Sequence, residues 1–221
     1  MPNITFLCLA KSWKKGGVCI AGKKVENNYV TGWIRPISNH DEGGISLAER
    51  RYADRTDPQI LDYIECGVGE HCPNGAQTEN YLIANSRWAK IGVHNGSVAQ
   101  YCDTPDSLWG IGSSTRNGIN DKITEVLASA LDESLYLISL DEATVLVREE
   151  IEYGGDTKTR VRLSFQYGGH PYILSLSDDV RKQYYLEQGI GEYPLENCHI
   201  AVSLSTPYHD HCYKVVAGII E

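Results

Sequence analysis

Residues 3–37, NITFLCLAKSWKKGGVCIAGKKVENNYVTGWIRPI, contain three apolar runs, 3–10, 17–22 and 29–37, rich in β-branched and aromatic residues and set apart by Lys, Gly and Asn. Runs this short, broken by turn formers, predict an antiparallel meander, with Gly16 and Gly17 at a hairpin turn. The same signal returns in TRVRLSFQY, 159–167, where Val161, Leu163, Phe165 and Tyr167 alternate with Arg160, Arg162, Ser164 and Gln166. One face of that strand is buried and the other wet. Further strands are predicted at 58–68, at the start of 80–92, and at 134–140, 143–151, 170–176, 198–205 and 212–220.

Helices are few. Ser46 with Glu49 three residues later has capping-box spacing and opens a short helix over 46–52. A single helical turn is expected before Gly92. In 120–131 the residues Ile123, Val126, Leu127, Ala130 and Leu131 recur at helical spacing, with Asn120 or Asp121 as the cap. Ser177 opens a helix over 178–188 that Gly189 closes. Residues 93–118 lack a sustained period and read as a long loop. Many short strands with so few helices predict an all-β chain, best counted as two five-stranded antiparallel barrels. No internal repeat is visible in residue identity.

The 221 residues are 42% hydrophobic and 22% charged, enough for a real core. Seven cysteines, an odd number without a CxxC pair, do not form a secreted disulfide framework and are expected as buried thiols. The apolar run ITFLCLA is too short to span a bilayer and has no basic leader. A cytoplasmic protein with no membrane partner is expected. The net charge of −9 argues against indiscriminate coating of nucleic acid. Its distribution is uneven: residues 1–55 hold nine Lys and Arg against five Asp and Glu, and the remainder eleven against twenty-four.

Seven segments together resemble the bacterial dual OB-containing domain family: KSWKKGGVCIAG (11–22), TGWIRPIS (31–38), PQILDYIE (58–65), QTENYLI (77–83), SLWGIGSSTRNGINDK (107–122), LSFQYGG (163–169) and SLSTPYHDHCYKVVAGII (203–220). The resemblance spans nearly the whole chain. It implies two OB-like barrels in tandem, residues 1–105 forming the first and 106–221 a connecting loop, a helix and the second. By analogy of fold it implies a nucleic-acid or nucleotide ligand and a place in antiviral defence or mobile-element assemblies. It carries over no enzymatic activity.

Three clusters are candidate sites. Lys11, Trp13, Lys14, Lys15, Trp33 and Arg35 combine cations with rings on which bases can stack. Gln77, Thr78, Glu79 and Asn80 offer hydrogen bonds to a base edge or ribose. Ser113, Ser114, Arg116, Asn117, Asn120, Asp121 and Lys122 form a polar loop before the 120–131 helix, where an anion could be cradled. The GxxxxGK[ST] order is missing there. HDHC, 209–212, would place His209 and His211 on one face of a strand, but its spacing matches no zinc signature, and no metal or cofactor is expected. The leading expectation is a non-catalytic module binding single-stranded nucleic acid or a nucleotide-like ligand. One alternative is a protein-interaction adaptor in a larger assembly. The other is a nucleotide-processing enzyme using residues 77–80 and 112–122 together.

Overall fold

A computed structural model describes residues 2–27, 29–40, 43–84, 87–151 and 154–221. The chain divides into two compact units, Met1–Tyr101 and Cys102–Glu221.

In the first unit the opening meander forms as predicted: β1 (Asn3–Lys14), β2 (Gly17–Glu26) and β3 (Tyr29–Ile37) pair antiparallel in order. Gly16 takes φ +83°, and a β-carbon on Gly17 would come within 2.2 Å of Ile45 O, so this tight hairpin needs both glycines. Helix α1 (Leu47–Arg50) carries the expected capping box, Ser46 and Glu49. Strands β4 (Asp62–His71) and β5 (Asn80–Ile83) follow. β5 runs parallel to β3 and antiparallel to β4, and β4 returns to β1, closing the circuit β1-β2-β3-β5-β4. That is the Greek-key order of an OB barrel. Phe6, Ile20, Ile34 and Ile64 fill its interior, with Trp88 edge-on to Phe6 at 6.2 Å. The helical turn expected before Gly92 is instead strand β6 (Ala89–Val93), paired with β4. Once Trp88 is buried in the core, the segment after it lies along the open edge of β4 and takes up the ladder bonds there.

The second unit repeats the circuit. It contains β7 (Lys122–Thr124), α2 (Glu125–Ala128), β8 (Leu135–Ile151), β9 (Thr157–Tyr167), β10 (His170–Leu176), α3 (Asp179–Gln188), β11 (Gly191–Leu204) and β12 (His211–Ile220). β8, β9, β10, β12 and β11 form the ring, β11 closing on β8 and β10 running parallel to β12. Both units are therefore five-stranded OB barrels, each with a helix between its third and fourth strands.

Three expectations are corrected here. The helix over 120–131 shrinks to four residues capped by Thr124, because Lys122–Thr124 pairs with β12. Its apolar repeat is not one buried stripe: Ile123 is inside, while Val126 is 80% and Leu127 57% exposed. Sheet pairing overrides helical periodicity in so short a segment. The strands at 134–140 and 143–151 fuse into one 17-residue β8. The cap of α3 is Asp178, which accepts from the Val180 and Arg181 amides, not Ser177. Among the described residues no helix is long and apolar enough to cross a membrane, and all seven cysteines are free thiols.

Candidate functional site

In the first barrel most of the expected polar residues point inward. Lys11 is buried, its Nζ 2.6 Å from Asp57 Oδ2 and donating to Pro58 O at 2.7 Å. Asp57 also accepts from Arg50 Nε at 2.6 Å. Burial alone would raise the Asp57 carboxyl, but hydrogen bonds from Arg50 and Lys11 hold it below its ordinary value. Arg35, only 2% exposed, pairs with Glu79 at 2.9 Å. Its amide also donates to Glu79 O where β3 meets β5. Gln77 and Asn80 are buried beside this pair, Asn80 Nδ2 donating to Gln77 Oε1. Trp33 is half-buried under its cross-strand neighbour Lys23, whose Nζ lies 5.5 Å from the ring centroid. Trp13 is 62% exposed, Lys15 exposed and Lys14 half-buried around the β1–β2 turn. Lys11 and Arg35 thus serve internal carboxylates, and the hairpin residues keep contact with solvent.

In the second barrel the 112–122 loop is closed at its base by reciprocal backbone bonds between Ser113 and Lys122. Its polar residues mostly staple it. Ser114 Oγ accepts from the Asn120 amide at 3.1 Å, and Asn120 Nδ2 donates to Pro171 O at 2.8 Å. Asp121 is buried and accepts from the Thr115 amide and hydroxyl. The loop lies along β10 through the Ile119–Ile173 bridge. Thr115, Arg116, Asn117 and Asp121 also line an open groove of about 880 Å³.

The other wall of that groove comes from the barrel's outer surface: Glu150 on β8, Arg160 and Arg162 on β9, Ser175 on β10 and Tyr213 on β12. The two arginines share the wet face of β9 because they are two residues apart. Arg162 is fixed: its Nε and Nη2 bind the two oxygens of Glu150, and Nη1 donates to Ser175 Oγ at 3.1 Å. Asn117 Nδ2 donates to Glu150 at 3.0 Å. Burial would raise the Glu150 carboxyl, but Arg162, Asn117 and Arg160 hold it low. Arg116 is exposed and ion-paired to no described residue.

Beyond Tyr213 the β11–β12 hairpin presents rings. Tyr208 is 64% exposed, 4.2 Å from the His209 ring and 6.5 Å from that of Tyr213. His209 and Asp210 adopt φ +48° and +60°, the two-residue turn of a tight hairpin. This corrects the strand reading of HDHC: His209 sits in the turn, and His211 Nδ1 lies 2.8 Å from His209 O.

β9, β10 and the β11–β12 loop are the elements through which OB barrels usually hold ligands. Residues 4–219 match the model of the dual OB-containing domain. The chain belongs to that family. No curated protein and no solved structure matches it. Sequence reasoning about this dual OB chain passed over Arg160, Arg162, Tyr208 and Tyr213 as site residues. The alternation in TRVRLSFQY had already placed the two arginines on a wet face; what it lacked was the knowledge that a loop 40 residues upstream forms the opposite wall.

Proposed function

We propose that this chain is a non-catalytic dual OB module that binds single-stranded nucleic acid across the outer face of its second barrel. The observation that carries the reading is the groove itself, where Arg116, Arg160 and Arg162 lie with Tyr213 and adjoin the exposed Tyr208. Arg116 and Arg160 would take backbone phosphates beside the fixed Arg162, and the rings would stack bases, each stack contributing about 1 to 3 kcal/mol. The polar groups Thr115, Asn117 and Ser175 offer hydrogen bonds without choosing a sequence. The −9 net charge keeps binding local, since strand segments beyond the groove meet an acidic surface.

The test is fluorescence anisotropy of short labelled DNA and RNA single strands at low salt. The double variant Arg116→Ala with Arg160→Ala is expected to weaken binding at least tenfold and to flatten the dependence of affinity on salt. Arg162 is left intact because it anchors Glu150. Absence of saturable binding, or equal affinity in the double variant, overturns the reading.

A further inference from the structure

We infer that the first barrel carries a separate site for a phosphate monoester, in the cavity lined by Arg51, Arg55 and Arg87. This cavity, of about 680 Å³, lies between Ser38–His40 at the end of β3, helix α1, the turn that follows it, and residues Ile83, Ala84 and Arg87. Its volume is that of an ordinary small-molecule pocket. It takes no part in the β9–β10 groove, and the inference does not rest on the reading given to that groove.

Several cations of this region are already paired. Lys11 and Arg50 are consumed by Asp57, and Lys90 by Asp62 at 2.7 Å. Asp62 also accepts from the Tyr52 hydroxyl and the Gln59 amide, both at 3.0 Å. Asp54 is turned toward the Thr56 amide and hydroxyl. Glu49, the one carboxylate among the described residues lining the cavity, has both oxygens engaged: Oε1 accepts from Ser38 Oγ, and Oε2 from the Ser46 amide and hydroxyl. Burial would raise that carboxyl, but these bonds, with His40 3.6 Å away, hold it in its charged form. Arg51, Arg55 and Arg87 are left exposed on the cavity, ion-paired to no described residue. Among the described residues that line the cavity, three guanidinium groups thus face one carboxylate whose oxygens are already occupied.

The backbone adds a second observation. Arg55 is held at φ +70°, in the left-handed region that costs a residue with a β-carbon about 1 to 2 kcal/mol. The conformation is imposed by a closed turn, Tyr52 amide to Thr56 O and Arg55 amide to Tyr52 O, both at 3.0 Å. An arginine gains nothing from that geometry locally, yet the turn brings its side chain to the cavity. Arg51 is positioned by the end of α1, where its amide donates to Leu47 O.

Forked guanidinium donors match the oxygens of a phosphate bidentately, and a dianion answers an excess of cations better than a single carboxylate does. Ala48, Ala53, Ile83 and Ala84 supply apolar wall for the group that bears the phosphate. The source of that phosphate is either a free nucleotide or the terminus of a strand.

Calorimetric titration of the full chain distinguishes them. The probes are inorganic phosphate, adenosine 5′-monophosphate, adenosine, and one oligonucleotide made with a 5′-phosphate or a 5′-hydroxyl. The monophosphate is expected to bind saturably and adenosine not to bind. Arg55→Ala with Arg87→Ala should lower that affinity at least tenfold at unchanged melting temperature, and Arg116→Ala with Arg160→Ala should leave it unchanged. A 5′-phosphate that strengthens oligonucleotide binding only when Arg55 and Arg87 are present assigns the site to strand ends. Equal binding of both oligonucleotides, with the monophosphate still captured, assigns it to free nucleotide. If neither phosphate, monophosphate nor 5′-phosphorylated strand gains affinity from the arginines, the inference is overturned. Arg51→Ala repeats the test at the third guanidinium should the double variant fold poorly.

Discussion

The two barrels share one strand circuit and treat positive charge in opposite ways. The first folds carboxylates against its central cations: Asp57 on Lys11 and Arg50, Glu79 on Arg35. The second fixes one arginine of its β9 face with Glu150 and leaves a groove open beside it. An OB circuit therefore dictates where a ligand face can be, and the residues laid over it decide whether that face is closed by ion pairs or left as an open groove.

The closed face gives the largest expected effect. Glu79→Ala leaves the Arg35 guanidinium buried at 2% exposure without its carboxylate. Removing one partner of such a pair costs about 3 to 5 kcal/mol. Urea unfolding followed by tryptophan fluorescence should show this loss. Glu192→Ala breaks the Arg148–Glu192 pair, which is 3.5 Å long between half-exposed or exposed side chains, and should cost under about 1 kcal/mol. Similar losses in both variants would remove the distinction between internal and surface use of charge.

Buried lysines sharpen the comparison through pH. Lys11 has a carboxylate partner, whereas Lys214 in the second barrel donates to Gly110 O at 3.0 Å and lies over the Tyr172 ring, 5.4 Å from its centroid. Burial pushes the Lys214 ammonium down to about 8, partly opposed by Asp121. Below pH 8 the amine is protonated in both folded and unfolded chains, and the cost of the buried charge is fully present. Between pH 8 and its ordinary value of 10.5 the unfolded chain holds a proton that the folded one has released, so stability rises with pH. Relative to Lys214→Met, the native chain should gain up to about 3 kcal/mol across that window. Thiols and phenols titrate alike in both proteins and cancel in the difference. A difference independent of pH would show that the amine stays charged inside.

Much of the architecture was legible because it rests on period and turn chemistry. The opening meander, the capping box at Ser46 and the wet face of β9 each follow from residues close in sequence. Local pattern misled where a free sheet edge was available, as in Lys122–Thr124 and Ala89–Val93, which join edges that the sequence does not reveal. The candidate site was harder to read for the same reason. In sequence Arg35 and Glu79 read as separate ligand contacts, and only the parallel pairing of β3 with β5 brings them together as partners. The groove of the second barrel depends on Arg116 and Arg160, far apart in the chain, forming two walls of one cleft.

The smallest effect belongs to the β1–β2 hairpin, and it bears on which barrel recognises the ligand. Trp13 is exposed there beside Lys14 and Lys15, a combination that by composition resembles a stacking platform. Among the described residues this ring has no ring partner, and with Lys11 and Arg35 turned inward it lacks the line of cations needed to keep a backbone in register with it. Stacking on such a ring competes with its free solvation and with the motion of the strand above it. Trp13→Ala with Lys14→Ala should therefore change single-strand affinity by no more than about twofold, well below the 1 to 3 kcal/mol of a productive stack. Anisotropy beside the Arg116→Ala, Arg160→Ala variant decides it. A loss at the hairpin as large as that at the groove would give the first barrel an equal share in recognition, and its internal ion pairs would then hold a binding surface in shape instead of closing one.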